Sequence, residues 1–333
     1  MKKIYAFVPL ALAAVALMGC SGLLRPAVDL SAPGLAYRQE EVRTPGLSLT
    51  FFGTSTVLLS DGGNAIMTDG FFSRPSWLPL LLTRFESNEE EIGFALRQAK
   101  VRKVDAILVA HAHHDHAMDS GLVAQKTGAT VYGSASTLNI ARGQNTPESQ
   151  LHLLRAGQPL VAGQFKVTAY ETPHSPEPIN VGFIDHPLHV PAKLGDYKLG
   201  ENYSFLVEHR LGNVLIVPSA NYKPNAFDGV HAPVVVLGIG VLGKQSEAFT
   251  ERYWDEVVRK TGARLVLPVH WDDFARSLRE PLVPLPRFAD NMAVTLERLQ
   301  ALAKRDGVAI RFLPALREVS LPVLDDPKAD ERH

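Results

Sequence analysis

The chain has 333 residues, 46% of them hydrophobic and 21% charged, with 34 Lys and Arg against 35 Asp and Glu for a formal net charge of −1. That length and composition suit one large or two smaller globular cores and argue against disorder. A balanced charge lacks the basic footprint of a phosphate-backbone reader, so the expected partner is a small-molecule or lipid substrate and not a nucleic acid. Nothing in the sequence sets an oligomeric state.

Lys2 and Lys3 precede an apolar run from Ile4 to Met18. At about fifteen residues it falls short of the ~20 that a spanning helix needs, and it reads as an export signal over residues 1–19 rather than a membrane-spanning anchor. Cys20 is the only cysteine, which rules out an internal disulfide. Leu17-Met18-Gly19-Cys20 is similar to the lipobox of bacterial lipoproteins. That resemblance implies cleavage before Cys20, lipidation of Cys20, and a mature protein held on a membrane facing the periplasm; Ser21 at the next position points to the outer membrane. Residues 20–46 carry Pro, Gly and Ser without an apolar period and read as a tether.

The domain is expected over residues 47–320, with a tail at 321–333. Runs at 47–52, 56–59 and 65–68 read as strands, separated by Gly53 and by the turn Asp61-Gly62-Gly63, and Asp69-Gly70 closes the third. Residues 75–85 are strongly apolar, yet Pro75 and Pro79 break any regular buried helix or central strand. They read first as a cover over the core, and alternatively as a lid that meets lipid or an acyl chain. Over 88–100, Ile92, Ala95, Leu96 and Ala99 recur at helical spacing behind an acidic first turn.

An apolar run with the length of a buried strand then ends in His111-Ala112-His113-His114-Asp115-His116. In extended backbone, side chains at i and i+2 share a side, so His111 and His113 are placed to share one metal while His114 points away. Asp115 and His116 follow the turn into a helix and suit a second metal. Zinc accepts such a mixture of nitrogen and oxygen donors. The plainer reading, a histidine-rich surface loop, gives no reason for a buried strand to launch it.

Helix, strand and helix are expected at 121–126, 130–132 and 134–141, so α and β elements alternate. Two strands around Gly163 end at Pro173-His174-Ser175, where His174 on its own reads equally as a hydrogen-bonded structural residue. Residues 176–200 look like a long insertion near the site, and His186 and His189 within it are assigned no role. Further strands are expected at 203–207, 213–217, 233–237 and 264–269. A helix is expected over 246–260, with Phe249, Tyr253, Trp254, Val257 and Val258 inward and Gly262 beyond its end. The strand at 264–269 delivers His270 at its mouth, and 289–304 and 309–312 complete the domain as helix and strand.

The pattern H-x-H-x-D-H resembles that of the metallo-β-lactamase superfamily, and the resemblance extends over residues 47–315. It implies an α/β fold, the αββα sandwich of that superfamily. One metal would be held by His111, His113 and His174 and the other by Asp115, His116 and His270, with Asp115 also catalytic. The expected ion is Zn2+, one or two per chain, with Mn and Fe not excluded, and the expected chemistry is attack by metal-activated water on a carbonyl or phosphorus. Asp69 would lie near the metals, and Asp272 would support a ligand.

One departure stands out: many members carry a bridging Asp after the strand at 213–217, where this chain has Ser219-Ala220-Asn221. Asn221 would then lend at most an amide oxygen. The stretches 68–75 and 268–274 are similar to those of N-acylphosphatidylethanolamine-hydrolysing phospholipase D and ascorbate-6-phosphate lactonases, which favours a phosphodiester, phospholipid, ester or lactone substrate. The alternatives are a true β-lactamase with the same six ligands and a non-catalytic metal-binding surface lipoprotein.

Overall fold

The computed structural model describes residues 25–42, 45–176 and 178–323. The expected export signal and Cys20 lie outside these. Among the described residues, fourteen strands form two seven-stranded sheets. The first sheet uses β1 (Pro45–Phe51), β2 (Val57–Ser60), β3 (Ala65–Thr68), β4 (Ala106–Leu108), β5 (Thr130–Gly133) and β6 (Leu151–Leu153). The second uses β7 (Pro159–Ala162), β8 (Phe165–Glu171), β9 (Tyr203–Glu208), β10 (Val214–Val217), β11 (Val234–Gly238), β12 (Leu265–Val269) and β13 (Ala309–Ile310). Strand β14 (Glu318–Pro322) returns to the first sheet, whose order is β14-β1-β2-β3-β4-β5-β6, while the second runs β13-β12-β11-β10-β9-β8-β7.

Period-two alternation explains how the two sheets meet. On β4 and its continuation, Ala106, Leu108 and Ala110 point into the core between the sheets, while Ile107 and Val109 point into the core beneath the outer helices. Facing them across the sandwich, Phe165, Val167, Phe205 and Ile216 come from the second sheet. Strand β11 is apolar at every position because it pairs in parallel with both β10 and β12 and is buried throughout. Helices cover the outer faces: α1 (Trp77–Leu82), α2 (Glu89–Gln98), α3 (His114–Ala117), α4 (Ser120–Thr127), α5 (Ala135–Gly143), α6 (Glu247–Trp254) and α7 (Met292–Asp306). This is the expected αββα sandwich. Parallel pairing of β3 with β4, and of β10, β11 and β12, brings several carboxyl ends to one edge, where open α/β sheets form their ligand crevices. No helix of the described residues is long and apolar enough to cross a membrane.

Several elements differ from expectation. The stretch read as a tether is docked over its described part. Leu35 sits in the inter-sheet core, Ala36 bridges Phe312, and the Tyr37 hydroxyl donates to the Ser320 carbonyl at 2.5 Å. The segment 75–85 does contain a helix, α1. Pro79 is tolerated in its first turn, where its missing N–H has no intrahelical partner to lose. Only Leu80 of that helix is buried, so it covers less core than expected. The helix expected at 246–260 is α-helical to Trp254 and continues as a π-helical turn over Asp255–Arg259, with Phe249 half-buried against the inter-sheet core. Strands β6 and β14 were not foreseen; β14 carries the domain to Pro322, two residues into the expected tail.

Docking of the N-terminal segment gives a direct test. Leu35→Ala is expected to lower the unfolding free energy by about 2–3 kcal/mol, as for other core truncations, measured by denaturant titration. A loss below about 0.5 kcal/mol would mean that this segment rests on the surface.

Candidate metal centre

The backbone beyond β4 sets the site. Ala110 N donates to Asp69 Oδ1 at 2.8 Å and Ala112 N to the Leu199 carbonyl at 2.9 Å, which keeps the chain extended through His111. His113 is the N-cap residue of α3, still in extended conformation, and the following turn presents Asp115 and His116 from a second direction. His174 arrives just after β8 and His270 just after β12. All six converge as two sets, His111/His113/His174 and Asp115/His116/His270, with the donor atoms of each set within 4.8 Å of one another. The rings of His111 and His116 lie 3.9 Å apart, so the sets adjoin.

The arrangement fits a metal, judged from where each imidazole carries its proton. His113 Nε2 faces the Ile179 carbonyl at 2.9 Å, His174 Nδ1 faces the Ser175 carbonyl at 2.9 Å, and His116 Nδ1 faces Asp69 Oδ2 at 2.9 Å. Each acceptor holds the N–H on the outer nitrogen and leaves the inner lone pair for a cation. Inside, His111 Nε2 and His113 Nδ1 are 3.1 Å apart, and His116 Nε2 and His270 Nε2 are 3.2 Å apart. Asp115 Oδ2 lies 3.4 Å from His270 Nε2 and 3.7 Å from His116 Nε2.

Electrostatics points the same way for His111, His113 and His174. Burial holds His111 far below the ordinary imidazole range, with the neighbouring imidazoles adding to it. His113 and His174 are pushed down to about 3 and about 4, mainly by burial. These rings are therefore neutral at pH 7 and need lose no proton to act as ligands. His116 is raised, because Asp69 and Asp115 outweigh the opposing effect of burial. Burial alone would raise Asp115, yet the imidazoles of His116, His114 and His270 hold it well below the carboxylate range.

Residues 48–270 match the family described as beta-lactamase superfamily domain. The chain belongs to this superfamily. A UPF0173 protein of Pyrococcus furiosus is 23% identical over 69% of this chain and 86% of its own. A UPF0173 metal-dependent hydrolase of Heliobacterium modesticaldum is 33% identical over a shorter stretch, 26% of this chain and 30% of its own. Among solved structures, the metallo hydrolase Igni18 of the archaeon Ignicoccus hospitalis superposes with a TM-score of 0.53 at 15% identity, covering 83% of this chain and 98% of that one. The protein is a metal-dependent hydrolase of the metallo-β-lactamase fold with a His/Asp metal-binding cluster.

As a superfamily member it supports its ligands in ways only partly foreseen. Asp69 is placed as expected: one carboxylate oxygen takes Ala110 N–H, and the other takes the Ser55 hydroxyl at 2.6 Å and the His116 imidazole. Asp272 is buried but touches no ligand histidine. Its oxygens accept from Thr54 N and from the Arg74 guanidinium, each at 2.8 Å, while the Thr54 carbonyl accepts from His270 N–H. It thus fixes the backbone that carries His270 and not the ring. Asn221 is engaged locally: its Oδ1 accepts from Tyr222 N at 2.8 Å and its Nδ2 donates to the His174 carbonyl at 2.6 Å. His114 faces away, among the rings of Phe71, Phe85, Tyr197 and Phe274 at 5.7–6.3 Å.

Sequence reasoning missed Ser55, Arg74, Gly240 and the Ile179 carbonyl. A backbone acceptor leaves no residue-type signal, but the positively charged Arg74 inside an apolar stretch was a visible cue to a buried partner. Gly240 matters for space, since a Cβ there would lie 2.6 Å from the His270 carbonyl and 2.8 Å from its Nδ1. Gly240→Ala is therefore expected to displace the His270 ring and lower bound metal by about one equivalent, with the overall fold kept. Elemental analysis of protein from metal-replete expression, beside circular dichroism, checks this; unchanged metal content would show that His270 is not a ligand.

Proposed function

We propose that the chain is a zinc-dependent hydrolase that cuts a phosphodiester, carboxylic ester or lactone bond, with phospholipids inside its substrate class. The observation that carries this reading is the pair of adjoining three-donor sets, with five imidazoles against one carboxylate. Nitrogen-rich sets of three suit zinc with an open position for substrate, whereas carboxylate-rich sets suit harder ions such as Mn or Mg. Bound there, the metal supplies Lewis acidity, lowering the pKa of a water toward ~7 and polarising the bond to be cut.

The protein's own groups do the rest. Asp115, kept ionised by the imidazoles around it, would orient the attacking water by accepting its hydrogen bond and pass its proton on toward the leaving group. Asp69 and Ser55 hold His116, and Asn221 holds the backbone of His174. The substrate preference is supported by how the two stretches that resemble the phospholipase D and lactonase branch sit together. Arg74 from one and Asp272 from the other form a fully buried ion pair at 2.8 Å, which makes them one supporting unit. A β-lactam substrate is the second reading, favoured by Asn221 in place of a bridging carboxylate, since both amide ends are occupied elsewhere.

On location, our reading remains that residues 1–19 export the chain and that lipid on Cys20 holds it on a membrane facing the periplasm. The support is the sequence itself, an apolar run ending at the only cysteine.

A screen of model phosphodiesters, esters, lactones and β-lactams tests the activity. Asp115→Ala is expected to lower kcat on any turned-over substrate by 10²-fold or more, on the order of general-base removal, while metal at His111/His113/His174 is retained. Absence of turnover on all four classes by the metal-loaded parent would favour a non-catalytic metal-binding lipoprotein instead.

A further inference from the structure

Exposed apolar side chains gather beside the metal cleft. Leu78, Leu81 and Leu82 on α1, Ile179, Val181 and Phe183 on the loop after His174, and Phe288 are each more than 60% exposed. Of the large apolar side chains that the described residues leave exposed, only Leu153 and Val161 lie elsewhere in the chain. Scattered exposed leucines are ordinary, but a cluster at the rim of a site marks a contact surface.

Contacts tie the three segments together. Trp77 at the start of α1 packs against Phe288 at 5.7 Å and Phe274 at 5.4 Å between ring centroids. Arg84, just past the end of α1, donates to the Pro191 carbonyl and lines with Phe183 and Leu188 a cavity of about 310 Å³. The loop reaches the metal site itself, since the Ile179 carbonyl meets His113 Nε2. These contacts join the segments that carry the exposed apolar side chains into one rim, which meets the metal site at Ile179.

The path of the chain says what covers it. Arg25, the first described residue, is pinned to Asp273 Oδ2 at 2.5 Å, and Trp77 Nε1 donates to Asp273 Oδ1 at 3.1 Å. The chain therefore enters the fold at the root of α1. Cys20 precedes Arg25 by five residues, a reach of at most ~18 Å even for fully extended backbone. A lipid on Cys20 would hold the bilayer surface within that distance of Arg25, whose side chain shares Asp273 with Trp77.

We propose that this rim docks on the lipid surface that carries the N-terminal anchor, so that the metal cleft opens against the bilayer and takes acyl-bearing substrates from it. The proposal rests on the hydrolase and anchor readings above, and it deepens both. Apolar side chains at the headgroup boundary give binding in proportion to the area they bury, and a covalent anchor keeps them at that boundary.

The test uses the full chain reconstituted into phosphatidylethanolamine/phosphatidylglycerol vesicles with ordinary or brominated acyl chains. Trp77 is half-exposed on the rim, whereas Trp254 and Trp271 are buried. Bromine is expected to quench part of the tryptophan emission. That part should vanish in Trp77→Phe and fall at least about two-fold in Leu78→Ser/Leu81→Ser/Leu82→Ser, with circular dichroism and metal content unchanged. Equal emission from both vesicle types, for protein that floats with the vesicles, would overturn docking while leaving the anchor and the metal site intact. Failure of the parent to float would remove the anchor reading and the proposal with it. A sedimentation change from dimer to monomer in the triple variant, without quenching in the parent, would assign the rim to a second copy of the chain and overturn the proposal too.

Discussion

Five imidazoles and a carboxylate converge on one small volume as a donor set for a cation, and holding them there organises the molecule. Inner nitrogens 3.1 and 3.2 Å apart present lone pairs to each other once their outer nitrogens hold the protons. A cation turns that repulsion into bonding. Because His111, His113, Asp115 and His116 follow the first sheet while His174 and His270 follow the second, each set draws on both halves of the sandwich. Metal binding and the packing of the sheets are therefore linked, since an ion that binds only the folded arrangement stabilises it.

Much of the surrounding structure holds that geometry under local backbone strain. Thr54, Asp69, Arg74 and His270 all have φ between 45° and 58°, although none is glycine. They also form one connected network: Asp69 reaches His116, and Arg74 meets Asp272, which holds Thr54, whose carbonyl takes the N–H of His270. Left-handed conformations at non-glycine residues cost of order 1–3 kcal/mol each and persist where surrounding contacts over-determine them. Here the buried Arg74–Asp272 pair and the Asp69 bonds supply those contacts. Where a bridging carboxylate is absent, Asn221 fixes the backbone of His174 instead.

The convergence of the six candidate donors and the sandwich were legible because their signals are local. A strand that ends in H-x-H-x-D-H states its own geometry through the two-residue period, and His174 and His270 each stand at the mouth of a strand visible as an apolar run. The supporting residues were less legible because their partners are remote. Asp272 was expected on a histidine, yet its partner Arg74 lies 198 residues away. The Ile179 carbonyl and the space over Gly240 have no residue-type signature at all. Strand β14 was missed for a similar reason: Glu318–Pro322 is a short alternating stretch whose strand character comes from pairing with β1 across the whole domain. The tether was misjudged because Pro, Gly and Ser mark irregular backbone, and irregular backbone can still place Leu35 in a core.

The claim on which the account depends is that the two adjoining donor sets are where metal is held. Anomalous diffraction from crystals of the metal-replete protein, recorded above and below the zinc absorption edge, tests it most directly. The account predicts zinc-edge density enclosed by His111, His113 and His174, by Asp115, His116 and His270, or by both sets. Peaks away from these residues, or a signal that appears at the iron or manganese edge instead, would contradict it.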